Sequence, residues 1–276
     1  MAASVFADEL GPRGRRRVLV ATVVASLALA GVLAVAVFRL AGRDQFEAEL
    51  WKPFTDPDVL RFLWGGLANT MKVAVVAMVL ALALGALLAL ARLARLTPLR
   101  WAATAFIEFF RAYPLLLLII FTGKLLSQQG LDFGAFWFLA IALMVYNGAI
   151  LAEIFRAGIL SLDRGQGEAA ASIGLGYWQT MGLVLVPQAV RRMLPAIISQ
   201  LITLLKDTAL GFFIFYDELL RRSRTAGNEF SNPLQFFVVV ALVYIAINLV
   251  LGRLARRLEA RQRRRLGAGA ISVAGV

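Results

Sequence analysis

Residues 73–90 read VAVVAMVLALALGALLAL, a block without a single charged or hydrogen-bonding side chain. As an α-helix it would be about 27 Å long, close to the ~30 Å hydrocarbon core of a bilayer. It therefore reads as the middle of a membrane span that extends over about 66–91. Working outward, five further runs have the same character: 18–38, about 102–126, about 134–155, about 183–205 and about 233–252. The expected fold is all-α and integral to the membrane, with six transmembrane helices. Two runs are less regular. Arg111 and Pro114 interrupt the third, and Arg191, Arg192 and Pro195 fall in the first half of the fifth.

Composition agrees with this reading. Hydrophobic residues make up 60% of the 276-residue chain and charged residues 17%, against about 25% in a soluble domain. His and Cys are both absent. That excludes Ser-His-Asp and Cys-His catalysis, disulfides, iron–sulfur clusters and zinc sites built on His or Cys. No metal site is expected. The first run follows Arg13, Arg15, Arg16 and Arg17, as a signal peptide would. It is too long for a typical signal core and ends at Phe38-Arg39-Leu40 without a small-residue cleavage site, so a retained helix is expected.

The formal net charge is +12, which on a soluble protein would point to nucleic acid. Placing the basic residues on six spans gives another reading. With the N-terminus inside, 18 of the 29 Lys and Arg residues fall on the inner side, nine fall outside, and Lys72 and Arg111 lie within spans. This supports an N-in, C-in topology and needs no nucleic acid. One cluster, Arg221, Arg222 and Arg224, lies on the outer side. It reads as a surface patch there, with a misplaced fifth span as the alternative. The expected organisation is a basic cytoplasmic segment at 1–17, a first helix at 18–40 and an extracytoplasmic loop at 41–62. A core at 63–252 and a basic cytoplasmic tail at 253–276 follow.

Between the fourth and fifth spans the chain reads GQGEAAASIGLGYWQT, residues 165–180. The segment is too polar to span. Glu168 to Ile173 favours helix, with an acidic residue near its start suiting the helix dipole. Gly174 and Gly176 permit a sharp turn. Ala169, Ala170 and Ala171 form a small-residue face that another protein can approach closely. The adjacent Tyr177 and Trp178 suit either a protein interface or the membrane boundary.

This loop, within 165–187, resembles the EAA loop of ABC importer permeases. Glu168-Ala169-Ala170 is followed at the family spacing by Gly174, Val184, Val186 and Pro187, with Val in place of the usual Ile and Leu. The flanks resemble the polar amino-acid branch: 108–114 (EFFRAYP), 152–159 (AEIFRAGI), 186–189 (VPQA) and 204–208 (LLKDT). The likeness covers roughly residues 60–252. Asp163 and Gly167 depart from it, standing where Pro and Trp are common. The resemblance implies a type I ABC importer permease fold with a cytoplasmic coupling helix. It implies that Glu168 caps and anchors that helix, that Ala169 and Ala170 form its packing face, that Gly174 makes the turn and that Pro187 opens span five. It also implies a cytoplasmic ATP-binding subunit, a second permease subunit (a heterodimer rather than a homodimer) and an extracytoplasmic amino-acid-binding protein. The chain itself is not expected to be an enzyme or to bind a cofactor. Its one Gly-Lys pair, Gly123-Lys124, has Leu118 and Leu125 where a phosphate-binding loop needs Gly and Ser or Thr, so ATP would be used by a partner.

Charges within spans are expensive and usually face a cavity or a partner. The candidates for a translocation pathway are Glu108, Arg111, Asn147, Glu153, Lys206 and Asp207, with Lys72, Tyr146 and Arg156 nearby. Glu108–Arg111 and Glu153–Arg156 are spaced i,i+3, so each can also pair locally. Pro114 and Gly148 are places where a helix can open its backbone. The first seventeen residues resemble the glutamate-type permeases of actinobacterial glutamate uptake systems, which puts glutamate first among substrates. Glutamine, aspartate and basic amino acids come next. The rival reading is a secondary transporter or channel for small polar solutes, independent of ATP. It would be expected to carry an internal repeat or paired broken helices, and no convincing repeat relates the two halves. A membrane-embedded enzyme would have only Glu108 and Glu153 as deep carboxylates, each beside an Arg.

Overall fold

The computed structural model describes residues 11–131 and 133–273, and every regular element among them is helical. Residues 1–10 of the basic N-terminal segment, and 274–276 of the tail, lie outside the described residues. The chain divides into two units, Met1–Thr55 and Asp56–Val276.

In the first unit, α1 (Pro12–Ala41) opens on a proline, whose missing N–H costs nothing in a first helical turn. Four of its arginines fall in the opening turns and Arg39 in the last, and the stretch between them is apolar except for Thr22 and Ser26, as suits a lipid-embedded helix. Asp44 adopts a left-handed φ of 56° and turns the chain into a 3₁₀ segment, Ala48–Thr55. There Lys52 pairs with Glu49 at 2.5 Å and Trp51 packs on Phe54.

The second unit is built on α2 (Pro57–Leu93) and α5 (Gly134–Leu160). Asp56 caps α2 by accepting from the Asp58 N–H at 2.8 Å, so the helix begins at Pro57, inside the loop expected at 41–62. Ala77, Ala81, Gly85 and Ala89 recur every fourth residue on α2 and are all buried. This small-residue stripe lies along α5, where Gly148, Ala149 and Ala152 are buried in turn. A Cβ on Gly85 would stand 2.8 Å from the Leu151 Cβ and 3.0 Å from the Gly148 carbonyl oxygen. A Cβ on Gly148 would stand 2.9 Å from Leu84. Gly148 therefore permits close helix packing; α5 does not open at this residue.

The expected third span is not one helix. α3 (Thr97–Ala112) and α4 (Leu115–Gln128) meet at Pro114 and are bent by 108°. Proline has no N–H to donate and pushes the residue before it out of the helical region. Tyr113 is accordingly extended, at φ −76° and ψ 132°. α3 is amphipathic, burying Ala103 and Ile107, the latter beside Ala89 of α2 and Ala152 of α5. Counting the bent pair as one, six spans are long and apolar enough to cross a membrane.

α6 (Arg164–Ser172) forms the loop after α5. A short turn, α7 (Tyr177–Gln179), then a π-helical turn (Thr180–Leu185), α8 (Val186–Asp207) and a 3₁₀ segment (Thr208–Ile214) run on as one helical span from Tyr177 to Ile214. The fifth span thus starts before the expected residue 183. Arg192 is accommodated because its Nη1 donates to the Ser161 carbonyl at 2.5 Å, at the C-terminal end of α5. Phe215, at φ 61°, turns the chain into α9 (Leu219–Glu229). α10 (Pro233–Val273) passes without a break through the boundary expected at residue 253. The main core joins α2, α4, α5 and α8 around Val73, Ile119, Leu143, Leu151 and Leu204.

The α2–α5 crossing carries a direct prediction. Gly85→Leu should overpack the seam by about 1–3 kcal/mol. It should lower both the thermal midpoint and the monodisperse yield of detergent-purified protein. Gly167→Leu, at a site with open space around it, should do neither.

Candidate functional site

The loop at the end of α5 is tightly specified by its own residues. Asp163 accepts from the Gly165 N–H at 2.9 Å and is the N-cap of α6. This overturns the capping role expected of Glu168, which lies in the second turn with its side chain exposed. The helix starts four residues earlier than Glu168, because Asp163, one of the two departures from the family pattern, is itself a preferred cap. At the other end, the Gly174 N–H donates to the Ala171 carbonyl and the Leu175 N–H to the Ala170 carbonyl. That pair of bonds, with Gly174 at φ 84°, is a Schellman stop. A non-glycine residue would be strained there.

The two alanines divide their roles. Ala170 is 4% exposed and faces its own chain, against the π-helical turn. Ala169 and Glu168 face outward. Gln188 Nε2 donates to Gln166 Oε1 at 3.0 Å and ties α6 to the start of α8, where Pro187 occupies the first turn. Ile173 and Trp178 are 76% and 74% exposed, and Trp178 packs edge-on against Tyr177. The Arg95 guanidinium lies over the Tyr177 ring at 5.6 Å. The loop therefore offers a fixed helix with an exposed apolar rim.

At the same end, the C-terminal turns of α2 and α5 meet α3. Arg92, in the last turn of α2, pairs with Glu153 of α5 and lies 3.3 Å from Glu108 of α3. Arg156 Nη2 completes the cluster 3.1 Å from Glu153. Of the two local pairs expected from spacing, Glu153–Arg156 forms. Glu108 pairs across helices with Arg92, and Arg111 is exposed at the end of α3. Arg92 lies just outside the span expected at 66–91 and was not among the candidate residues; its signal was its position two residues past the apolar block, still inside α2.

Asn147 is fully buried in the middle of α5. Its Nδ2 donates to the Leu143 carbonyl, and its Oδ1 accepts from Gln200 Nε2 of α8 at 2.7 Å. Gln200 was not foreseen. Lys206 and Asp207 lie about two turns further along α8, Lys206 exposed and Asp207 half-buried. Lys72 is exposed on α2, and Tyr146 is half-buried.

The opposite end of the unit holds a second polar assembly. Glu218 is fully buried, caps α9 by accepting from the Leu220 and Arg221 N–H groups, and accepts from the Tyr244 hydroxyl at 3.2 Å. Burial pushes its carboxyl up to about 7, against the pull of those two backbone donors. Thr70 Oγ1 of α2 accepts from the Leu219 N–H, and the Tyr216 hydroxyl donates to the Asn69 carbonyl. The Arg221–Arg224 cluster lies in α9, at this end of the unit. Arg222 donates to the Phe62 carbonyl at 2.9 Å, Arg221 pairs with Asp217 at 3.3 Å, and Arg224 lies over the Phe212 ring.

Comparisons with known proteins fit this arrangement. Residues 81–264 match the family described as binding-protein-dependent transport system inner membrane component. The chain is 40% identical over 224 residues to the glutamate transport system permease protein GluD of Corynebacterium glutamicum, covering 80% of this chain and 82% of that one. It is 39% identical over 206 residues to the probable glutamine ABC transporter permease protein GlnP of Bacillus subtilis, covering 74% and 94%. Among solved structures, an amino acid ABC transporter with histidines superimposes with a TM-score of 0.69 at 30% identity, over 73% of this chain and 94% of the other. The chain therefore belongs to the inner membrane components of binding-protein-dependent transport systems, in the branch formed by amino-acid ABC transporter permeases.

Proposed function

We propose that this permease imports polar amino acids, with glutamate as principal substrate, and that α6 is the element through which ATP drives it. The observation that carries the coupling role is the α6 loop, a nine-residue helix fixed at both ends with Glu168 and Ala169 exposed on it and Ile173 and Trp178 exposed just beyond its C-terminal end. In this reading a cytoplasmic ATP-binding subunit grips the outward side of α6. Glu168 and Ala169 make the contact, and Ala170 with the Gln166–Gln188 bond passes the displacement to α8. Gly174 and Pro187 keep the loop from yielding under that load. Because α8 and α5 are joined through Asn147–Gln200, a pull on α6 moves both helices together.

A second, different permease chain completes the pathway, and an extracytoplasmic amino-acid-binding protein delivers the substrate. The N- and C-termini lie on the cytoplasmic side, in line with the basic excess at that face. Lys206 and Asp207 belong to the walls of the pathway, and Asn147, buried against Gln200, holds α5 to α8 behind them. Glu108, Glu153 and Arg111 lie toward its cytoplasmic end. The preference for glutamate rests on the 40% identical relative named for glutamate and on the N-terminal likeness to glutamate-type permeases.

Two measurements test this. In proteoliposomes holding the complete transporter, Glu168→Ala combined with Gly174→Asp should abolish ATP-driven uptake while the complex still hydrolyses ATP. Unchanged uptake would remove α6 from the coupling route. For substrate, an excess of each unlabelled amino acid should be set against labelled glutamate. Glutamate should compete most strongly, and its failure to do so would overturn the assignment.

A further inference from the structure

Beside the Arg92 cluster lies a pocket of about 370 Å³ lined by Arg92, Leu93, Arg100, Trp101, Thr104 and Arg156. Its charges do not balance. Three guanidinium groups face two carboxylates, Glu108 and Glu153, and both carboxylates are already engaged by Arg92 or Arg156. Arg100 makes no ion pair among the described residues. The pocket is thus a preformed basic site with room for one more anion.

Its depth identifies the kind of anion. Arg92 lies two residues beyond Leu90, which is exposed on the face of an apolar span. Arg100 and Trp101 are in the first turns of α3, the amphipathic helix that Pro114 turns away from α4. Trp101 is 70% exposed, and Leu99 is exposed in the turn before it. An exposed indole next to arginines, just past the end of an apolar block, is the arrangement found at the headgroup level of a membrane. Basic pockets between transmembrane helices hold lipid phosphates, and guanidinium forks suit phosphate oxygens better than a point charge does.

We propose that this pocket binds the phosphate of an anionic phospholipid, in the leaflet at the α6 end, with Arg100 as the principal contact. Arg92 and Arg156 set the field and are held rigid by Glu153. Trp101 and Leu93 cover the glycerol and first acyl carbons. The site is independent of which amino acid is transported. An acidic surface of the ATP-binding subunit would suit the same charges, but it does not account for the exposed Trp101 and Leu99 on the rim.

The test uses the complete transporter, delipidated in neutral detergent and titrated with phosphatidylglycerol or phosphatidylcholine, with bound lipid counted by native mass spectrometry. Wild type should retain phosphatidylglycerol in preference to phosphatidylcholine. Arg100→Ala should cut that retention about fivefold, Arg100→Lys should restore much of it, and Arg224→Ala at the opposite end should leave it unchanged. Equal retention by wild type and Arg100→Ala would overturn the proposal. So would displacement of the lipid by equimolar inorganic phosphate, which would make the pocket a free-anion site. Loss of the ATP-binding subunit from Arg100→Ala with lipid retention unchanged would make it a subunit contact and would equally overturn it.

Discussion

The backbones of α2 and α5 meet at Gly85 and Gly148 with no room for a Cβ on either side, and most of the second unit follows from that contact. Between helices in lipid there is no gain from excluding water, because lipid tails are as apolar as the side chains they replace. Association then depends on close van der Waals packing, and close packing depends on small residues. The stripe Ala77, Ala81, Gly85 and Ala89 supplies it. Because the two helices run side by side from this point, the next two turns bring Arg92 against Glu153. The charged cluster is a consequence of the register that the glycines set.

The two ends of the unit are finished in different ways. At the α6 end, orphaned helix termini are satisfied locally: Asp163 caps one end of α6, Gly174 closes the other, and Arg192 reaches the carbonyl of Ser161. The outcome is a loop fixed at both ends of α6 with an exposed outer side. At the opposite end, the polar groups turn inward. Glu218 is buried beneath α9 and held by two N–H groups and Tyr244, while Thr70 and Asn69 of α2 bond to the chain that leads into α9. Between the ends, the Asn147–Gln200 amide pair is the polar link between α5 and α8. A hydrogen bond within the apolar layer is worth roughly 1 kcal/mol, modest but directional.

Much of this was legible in the residues. The apolar block at 73–90, the runs like it and the polar loop at 165–180 give the fold class, the spans and the loop between the fourth and fifth. Gly174 was legible as a turn because no other residue adopts its backbone so easily. The family resemblance put the cap at Glu168, but Asp163 upstream starts the helix earlier and takes that role. Glu108 was paired with Arg111 by spacing alone. Spacing does not show that Arg92, sixteen residues earlier, returns to the same place.

Sequence alone thus determined what is local or summed along the chain: the number of apolar stretches long enough to cross and the break that Pro114 imposes. These depend on helix rise, on the missing proline N–H and on the cost of charge in hydrocarbon. Only the tertiary structure decided which polar groups meet. Gln200 finds Asn147, Arg92 joins Glu108 to Glu153, and Thr70 meets the first residue of α9 across well over a hundred residues. Those pairings depend on the rotation and register of packed helices. Two glycines on different spans fix that register, and one-dimensional periodicity carries no record of which glycine faces which.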